Sequence, residues 1–438
     1  MSWPITTSRL PDGRLVIGGV TADDLVAEFG TPLYVFDEAT LRARARLFRE
    51  TFAAAWPRSR VVYAAKAYIA PAIGAILADE GIGLDVASGG ELYAGRVSGI
   101  PPAHMTFHGN NKSEAELREA LEAGIGLIAV DNDHEIGLLR QMAAEGLGPV
   151  PVILRLNPGL APHTHAKMKT GALDSKFGFP IETGAAMAAV AAVVEAGFDL
   201  RGYHAHVGSQ IFDPLLVRET IGELLSFAAQ VRDRFGIATA TIVPGGGFGV
   251  SDDASGEDVS VREWAEAAAA ALRENCGRFG LPEPELVVEP GRAIVGPAGV
   301  ALYRIGARKE IPGVRTYVSV DGGMSDNIRP SLYGARYSAA LANRAEDGPR
   351  ETVTISGKYC ESGDVLIDGI ELPVLRADDL LAVPMAGAYC MSMASNYNLA
   401  PRPAAVMVLD GSARLFRRRE TYADMLASEI VPDIVAQR

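Results

Sequence analysis

Cysteine is scarce in this sequence of 438 residues, which contains only Cys276, Cys360 and Cys390. An odd number without paired spacing favours neither a disulfide framework nor a zinc site, and no metal is expected. Each cysteine must therefore be judged by its neighbours. Cys276 lies within a helical pattern and is interpreted as a small buried apolar residue.

Long apolar runs and an excess of positive charge are also missing. No run reaches the roughly 20 residues that a membrane helix requires, and the opening MSWPITTSRLPDGR lacks the apolar block of a secretory signal. The net charge of −13 disfavours a nucleic-acid partner, because binding a phosphate backbone needs a concentrated basic face. We therefore expect a cytoplasmic protein that binds neither a membrane nor nucleic acid.

The composition that remains is that of a globular protein, with 48% hydrophobic and 22% charged residues. The chain is too long for one ordinary core, so two structural units are expected. No internal repeat or low-complexity linker divides them.

From about residue 60, short apolar runs alternate with amphipathic helical patterns, as in the βα units of a parallel sheet. One helical pattern opens with a Ser113–Glu116 capping box. Eight strands separated by helices predict a (β/α)₈ TIM barrel over residues 37–290. The eight candidate strands are RVVYAAK (60–66), GIGLDVA (81–87), HMTFHG (104–109), GLIAVD (126–131), PVILRLN (151–157), RGYHAHV (201–207), ATIVPGG (240–246) and ELVVEPG (285–291).

Beyond the barrel the pattern changes to β-rich segments separated by turn residues, which predicts a mostly antiparallel β domain over residues 291–438. RLVIGGV and TPLYVFD, near residues 1–36, could add strands to it, because chain ends often lie close together. The β-rich segments are GVALYRIGARKEI, VRTYVSVDGG, ETVTISGKYC, DDLLAVPMAG and PAAVMVLDG.

Polar residues stand at the carboxyl ends of the predicted barrel strands, where a barrel enzyme builds its active site. Those residues are Lys66, Asp85, His108, Asp131, Asn157, His206, the glycines 245–247 and Glu289.

Lys66 follows the apolar residues VVYAA, which are expected to leave its amine poorly hydrated. Poor hydration lowers the pKa of an amine and makes the neutral form accessible for a Schiff base. A lysine leaving a strand is more often a solvated surface charge, but the position at the barrel mouth favours a carbonyl anchor.

The glycine-rich PGGGFGV (244–250) leaves room for backbone N–H groups to approach a ligand, and loops after the seventh and eighth strands of this fold commonly hold phosphate. The next strand ends in EPGR (289–292), which adds a cation. Glu289 could strengthen a pyridine ring as an electron sink, or form a salt bridge with Arg292. His206 could stack on a planar cofactor, move a proton, or be a satisfied core hydrogen bonder.

Eight motifs in one order resemble the diaminopimelate decarboxylases, which belong to the fold-type III pyridoxal-phosphate enzymes together with ornithine and arginine decarboxylases. The resemblance covers about residues 33–403 and implies an alanine racemase-like barrel with a β domain. AYIAP follows the lysine where the family more often has AN, and THAKMKTG replaces a more usual stretch. The motifs are YAAKA around Lys66, FHGNNKS at 107–113, TG and SKFG at 170–178, HVGSQ at 206–210, GGGFG, EPGR, CESGD at 360–364, and GAY with SMASNYN at 387–398.

The resemblance implies pyridoxal 5'-phosphate as cofactor, decarboxylation of meso-diaminopimelate to L-lysine and CO2, and a homodimer with shared active sites. Lys66 would bind the cofactor aldehyde as an imine, His206 would lie on the cofactor face and Glu289 on the pyridine nitrogen. The other residues that the resemblance places at the cofactor are Asp85, Ser209, Gly246, Gly247, Gly291, Arg292 and Tyr389.

The resemblance also implies how the substrate is held. Cys360 would be the proton donor, supplied by the second subunit, and Glu361 would meet the distal amino group. An arginine suits a distal carboxylate because its planar fork holds both oxygens and stays charged. The candidate substrate-binding residues are Arg292, Arg329, Tyr333, Glu361 and Tyr389.

Three other interpretations remain open at this point. The first is a decarboxylase for ornithine, arginine or a carrier-bound glutamate, although an ornithine enzyme would more naturally place an acid where Arg329 stands. The second is an alanine-racemase-like isomerase, which needs an acid–base residue on each face of the substrate carbon. The third is a catalytically silent cofactor carrier or regulator, which would be expected to lose Lys66 or Cys360. For Cys360 alone, buried packing is the alternative.

Overall fold

A computed structural model describes residues 3–160, 174–251 and 258–431 of the chain. The residues form two compact units, one comprising chiefly Arg42–Val250 and Glu257–Ile294, the other chiefly the residues up to Leu41 and those from Val295 onward. None of the helices in the described segments combines the length and the apolar character that a membrane crossing requires.

The first elements of the chain are short strands and one helix that begins at the N-cap Thr21. Strands β1, β2 and β3 form a small antiparallel sheet of their own, whereas β4 joins the large sheet described below. The elements are β1 (Ser8–Arg9), β2 (Leu15–Ile17), β3 (Val20–Thr21), α1 (Ala22–Phe29) and β4 (Leu33–Asp37).

Strands and helices then alternate in the βα order that the sequence predicts, with α2 preceding the first barrel strand. The elements are α2 (Glu38–Ala55), β5 (Ser59–Ala64), α3 (Pro71–Asp79), β6 (Gly83–Val86), α4 (Gly89–Val97), β7 (Met105–Phe107), α5 (Glu114–Glu122), β8 (Leu127–Val130), α6 (Asp133–Ala144), β9 (Pro151–Asn157), β10 (Phe179–Pro180), α7 (Ala185–Glu195), β11 (Asp199–His204), α8 (Leu215–Phe235), β12 (Thr241–Val243), α9 (Val261–Phe279), β13 (Glu285–Val288) and α10 (Arg292–Val295).

Eight parallel strands close into a barrel in the order β5, β6, β7, β8, β9, β11, β12 and β13, with β13 paired to β5. The short β10 pairs only with β9. The predicted TIM barrel is therefore confirmed, and each of its eight strands overlaps a predicted run. Apolar side chains fill part of the interior, as the fold requires. They are Val62, Leu127, Ala129, Ile153, Val243 and Val287.

Capping residues mark the start of α5 and the end of α9, as the sequence indicates. Ser113 and Glu116 form the predicted capping box at the start of α5. Helix α9 ends at Gly280, whose φ of 63° is the left-handed conformation that glycine adopts without a Cβ clash. Cys276 is buried within that helix, as predicted.

The remaining elements belong to the β unit, whose large sheet has the order β18, β17, β15, β14, β4, β20 and β21, with β19 also paired to β14. Most pairings are antiparallel, as predicted, but β15–β17 and β4–β20 are parallel. The elements are β14 (Gly299–Ile311), β15 (Arg315–Val320), α11 (Arg329–Tyr333), β16 (Ala340–Leu341), β17 (Arg350–Ser356), β18 (Val365–Pro373), β19 (Leu380–Val383), β20 (Ala404–Leu409), β21 (Ser412–Arg417) and α12 (Tyr422–Met425).

Candidate active site

Lys66 lies just past the carboxyl end of β5, in a 3₁₀ turn formed by Ala65–Ala67. This is the face on which barrel enzymes bind their ligands. The lysine side chain is exposed, whereas Ala64 and Ala65 before it are buried. The apolar residues before Lys66 therefore pack into the protein, while the lysine side chain stays accessible to an aldehyde.

Glu289, directly after β13, lies between two histidines from other strands. Its Oε2 lies 3.1 Å from His204 Nε2, at the end of β11, and its Oε1 lies 3.1 Å from His108 Nε2, after β7. Asp85 in β6 places Oδ1 3.7 Å from the same His108 nitrogen. All four side chains are buried. Four barrel strands thus bring acids and imidazoles together at their carboxyl ends.

Electrostatic interactions fix the charges in this cluster. Burial alone would raise the pKa of Glu289, but His204 and His108 outweigh it and hold that pKa well below its ordinary value. Burial would lower the pKa of His108, yet Asp85 and Glu289 raise it overall. Burial lowers the pKa of His204 to about 4, and burial raises the pKa of Asp85. Glu289 is therefore an anion at neutral pH, next to a neutral His204.

His206 lies two residues beyond His204 and is half-buried. Burial and the nearby Lys66 ammonium lower the pKa of His206 to about 3, so its imidazole is neutral at neutral pH. Gly246 donates its backbone N–H to His206 Nδ1 at 3.5 Å. A Cβ on Gly246 would overlap the backbone carbonyl of Glu289, so only glycine permits this close approach. The glycine turn therefore ties the strand of His206 to the strand of Glu289.

The other predicted cofactor residues of the barrel lie on the loops around this cluster. Ser209 is exposed in the loop after β11, and Gly247 is half-buried next to Gly246. Gly291 is buried against Ala64 at the end of β5, and the half-buried Arg292 begins α10. The strand of Lys66, the strand of Glu289 and the glycine turn are thus joined through backbone contacts.

Within the β unit, Arg329 and Tyr333 are the first and last residues of α11. Arg329 is buried, its guanidinium lies 5.5 Å from the centre of the Tyr337 ring, and it donates a hydrogen bond to the Tyr337 hydroxyl. Tyr333 is 66% exposed. The helix therefore combines a cation held in the interior with an aromatic ring at the surface.

Cys360 and Glu361 lie in the loop between β17 and β18, and both are exposed. The exposure of Cys360 rules out the alternative that it is a buried packing residue. Tyr389 is half-buried with a φ of 64°, in the left-handed region that bulky residues rarely adopt. Strained backbone of this kind is concentrated at functional sites.

Residues 38–296 match the family model described as "Pyridoxal-dependent decarboxylase, pyridoxal binding domain". The chain belongs to this family. The diaminopimelate decarboxylase of Bacillus subtilis is 46% identical over 429 residues, covering 97% of each chain. That of Synechocystis is 44% identical and covers 98% of this chain and 93% of its own. A crystal structure of the M. jannaschii diaminopimelate decarboxylase with L-lysine has a TM-score of 0.92 at 34% identity, covering 99% of this chain and 100% of its own.

The barrel of this pyridoxal-dependent decarboxylase has the chemical groups that its cofactor needs. Among the residues that the structure describes, none donates an aligned hydrogen bond to Oε1 of the buried Glu289. A protonated ring nitrogen supplies such a donor, and the anionic carboxylate favours that protonated form. Lys66 supplies a primary amine for an aldehyde, and the glycine turn follows β12, at the loops where this fold commonly binds phosphate. The residues present therefore fit pyridoxal phosphate.

The structure of the decarboxylase adds His204 and Arg155 to the residues that the sequence singled out. His204 ends β11 and His206 lies two residues beyond it. Both fall at alternate positions of the predicted strand RGYHAHV (201–207), a signal that would have identified His204. Arg155 interrupts the apolar run of β9, and its guanidinium lies 4.2 Å from the centre of the Phe177 ring. Its Nε lies 3.6 Å from Asp131 Oδ1. Residues 170–173, which include the TG of one predicted motif, lie outside the described residues.

Proposed function

We propose that this enzyme decarboxylates meso-2,6-diaminopimelate to L-lysine and CO2, with pyridoxal 5'-phosphate as its cofactor. The observation that carries the proposal is the match over 97% of the chain to a diaminopimelate decarboxylase at 46% identity. Full coverage includes the β unit, where Arg329 offers a cation for a distal carboxylate and Glu361 an anion for a distal amine. The predicted cytoplasmic location stays a prediction.

The barrel residues hold the cofactor in this proposal. When bound, pyridoxal phosphate delocalises the electron pair that remains after a carboxylate leaves the substrate carbon. The Lys66 amine would hold the cofactor aldehyde, and Glu289 would favour a protonated pyridine nitrogen, because His204 and His108 keep the pKa of Glu289 well below its ordinary value. Neutral His206 would lie on the cofactor face. Gly246 or Gly247 and the backbone of EPGR would bind the phosphate. The full set of further residues proposed at the cofactor is Asp85, Ser209, Gly246, Gly247, Gly291, Arg292 and Tyr389.

The distal end of the substrate sets the orientation of the scissile carboxylate. Arg292, Arg329 and Tyr333 bind the distal carboxylate. Tyr389 lies near the phosphate and the substrate, and Glu361 accepts a hydrogen bond from the distal ammonium. Binding energy from groups remote from the reacting carbon lowers the barrier when it holds the breaking bond in the reactive orientation. Specificity for diaminopimelate over ornithine follows, because ornithine lacks the distal carboxylate.

A substrate panel tests the activity and the role of Arg329 together. We expect CO2 release from meso-diaminopimelate, with lysine as product, and little from ornithine, arginine, lysine or glutamate. Arg329→Gln should lower kcat/KM for diaminopimelate by about 10- to 100-fold, the usual effect of losing a charged hydrogen bond. Release from another amino acid in preference to diaminopimelate would refute the proposal. Arg350→Gln, which removes a surface cation of β17 that is 40% exposed, is the matched control and should change kcat/KM less than twofold.

The enzyme is proposed to work as a homodimer with shared active sites. Leu332 and Tyr333 of α11 are adjacent apolar side chains that are 54% and 66% exposed. Large exposed apolar side chains on neighbouring positions are typical of surfaces that contact a partner. The proposal assigns Cys360 to the active site of the second subunit.

Cys360 is the proposed proton donor to the substrate carbon. A thiol carries an acidic S–H proton that it can donate to a carbanion. Cys360→Ala should therefore reduce lysine formation by about 10²- to 10⁴-fold, the usual contribution of a general acid, while the affinity for pyridoxal phosphate stays within twofold. Product formation is measured by chromatography and cofactor affinity by absorbance titration.

The buried Cys276 provides the matched control, and Cys276→Ala should leave lysine formation within twofold of the wild type. Mixing Lys66→Ala with Cys360→Ala protein should restore activity if the two residues serve one site from different subunits. Equal loss of cofactor binding and turnover in Cys360→Ala would instead mark the residue as structural.

A further inference from the structure

Two segments of the β unit carry the proposed substrate groups, and they leave the sheet side by side. The arginine segment (residues 321–333) follows β15 and ends in α11, and the cysteine loop (residues 357–364) follows β17. Strands β15 and β17 are parallel, with Val318 opposite Ile355. Parallel neighbours end at the same edge of a sheet, so both segments start from one edge.

One buried side chain, Asp364, joins the two segments. It is the last residue of the cysteine loop and is 3% exposed. Its Oδ1 accepts the backbone N–H of Met324 in the arginine segment at 2.7 Å. Its Oδ2 accepts the backbone N–H of Tyr359 at 2.9 Å, next to Cys360. Each carboxylate oxygen therefore holds a different segment.

Two glycines, one in each segment, pack against this carboxylate, and a larger side chain at either position would clash with it. A Cβ on Gly323 would lie 2.5 Å from Asp364 Oδ1, and a Cβ on Gly357 would overlap the carboxylate. The Gly357 N–H also donates to the backbone carbonyl of Asp364 at 2.9 Å. Glycine is therefore required at both positions, because the Asp364 side chain occupies the space that a Cβ would need.

Further hydrogen bonds join the same segments without involving substrate groups. The Lys358 N–H donates to the carbonyl of Gly322 at 3.2 Å, and the Ser331 hydroxyl donates to the carbonyl of Gly363 at 2.5 Å. The hydroxyls of Ser325 and Tyr359 also share a hydrogen bond. Because Ser331 lies within α11, the position of Arg329 and Tyr333 is linked to the end of the cysteine loop.

We propose that Asp364 is a positioning residue that fixes the arginine segment against the cysteine loop of the same chain, so that Arg329 keeps its geometry toward the distal carboxylate of the substrate. Charge-assisted hydrogen bonds from two backbone donors are short and stiff, which suits this role. The inference rests on the proposed function, because the substrate role of Arg329 comes from it.

The test is Asp364→Asn, which keeps the shape of the side chain but turns one acceptor oxygen into a donor. Inhibition by the product lysine, which retains an amino-acid end, should weaken by about 10- to 100-fold. Inhibition by cadaverine, which lacks a carboxylate, should change less than twofold, as should the affinity for pyridoxal phosphate. Equal weakening of lysine and cadaverine, or unchanged lysine inhibition, would overturn the proposal.

A double-mutant cycle measures the coupling directly. If Asp364 acts through Arg329, then Arg329→Gln should weaken lysine inhibition far less in the Asp364→Asn background than in the wild type. Additive effects would show that Asp364 does not act on the arginine. Gly357→Ala should reproduce the loss of lysine inhibition from the other side of the contact, and it provides the test if Asp364→Asn does not fold.

Asp368→Asn is the matched control, because Asp368 is an exposed acid four positions along the chain in β18, paired with Arg315 at the surface. It should leave lysine inhibition within twofold of the wild type. The proposed function is judged separately, by CO2 release from meso-diaminopimelate by the wild-type enzyme. If the wild-type enzyme releases CO2 but Asp364→Asn weakens inhibition by lysine and by cadaverine equally, the proposed role of Asp364 is wrong and the proposed function stands.

Discussion

Lys66→Ala should abolish turnover of meso-diaminopimelate and remove the visible absorbance of the cofactor-loaded enzyme. The lysine supplies the only covalent bond between protein and cofactor in the proposed mechanism, and loss of such a group costs on the order of 10⁴-fold or more in kcat. The Lys66 side chain is exposed, so the turn tolerates a smaller side chain at that position and the fold should be retained.

The measurement combines CO2 release, an absorbance spectrum and borohydride reduction followed by peptide mapping. Reduction should fix the cofactor onto the peptide that contains residue 66 in the wild type and onto no peptide in the variant. Lys309→Ala removes an exposed lysine of β14 and should match the wild type in all three measurements. A colourless wild-type protein after incubation with pyridoxal phosphate would refute the assignment, as would a coloured, active Lys66→Ala enzyme.

Glu289→Gln should lower kcat by about 10²- to 10³-fold, the usual cost of removing one preorganised electrostatic group. Two neighbouring imidazoles keep the native carboxylate anionic, and that charge stabilises a protonated pyridine nitrogen. Glutamine has nearly the same shape but no charge. Substrate binding at the distal end should be little affected, so KM should change much less than kcat.

Steady-state kinetics and cofactor titration check this expectation. Glu223→Gln, which changes an exposed acid on α8 of the same unit, is the matched control and should keep kcat within twofold of the wild type. A kcat for Glu289→Gln close to the wild-type value would show that the carboxylate does not serve the pyridine nitrogen. A fall in folded protein that matches the fall in kcat would assign Glu289 a purely structural role.

The barrel could be predicted from the sequence because each βα unit shows the same short-range pattern of apolar and polar residues. Every barrel strand is a short run rich in β-branched or other apolar residues, and the following helix buries one stripe. The β unit was predicted less completely. Strand β18 was missed because Asp368 and Gly369 resemble a turn within an apolar run, and Gly369 indeed has a φ of 73°. Strand β21 was missed because its residues are mostly exposed or half-buried and include two arginines.

The sequence identified which residues stand at the ends of the barrel strands, but not which of their side chains contact one another. Glu289 was identified at the end of its strand, yet its histidine neighbours come from strands about 85 and 180 residues earlier, and pairing at such distances is set by barrel closure. The exposure of the Lys66 side chain could not be predicted for a related reason. Apolar chain neighbours report which residues fill the core, whereas exposure depends on which way the chain turns after the strand.

The order of synthesis gives β4 an unusual folding history. This strand lies between β14 and β20 in its sheet, with Val35 opposite both Val300 and Val406. Its partners leave the ribosome only after the intervening barrel sequence has been made. During translation, the early strand must therefore remain unpaired while the barrel strands find neighbours close to them in the chain, and long-range pairing of this kind is slow. Chaperone capture of the nascent chain should accordingly centre on β4 and the residues next to it.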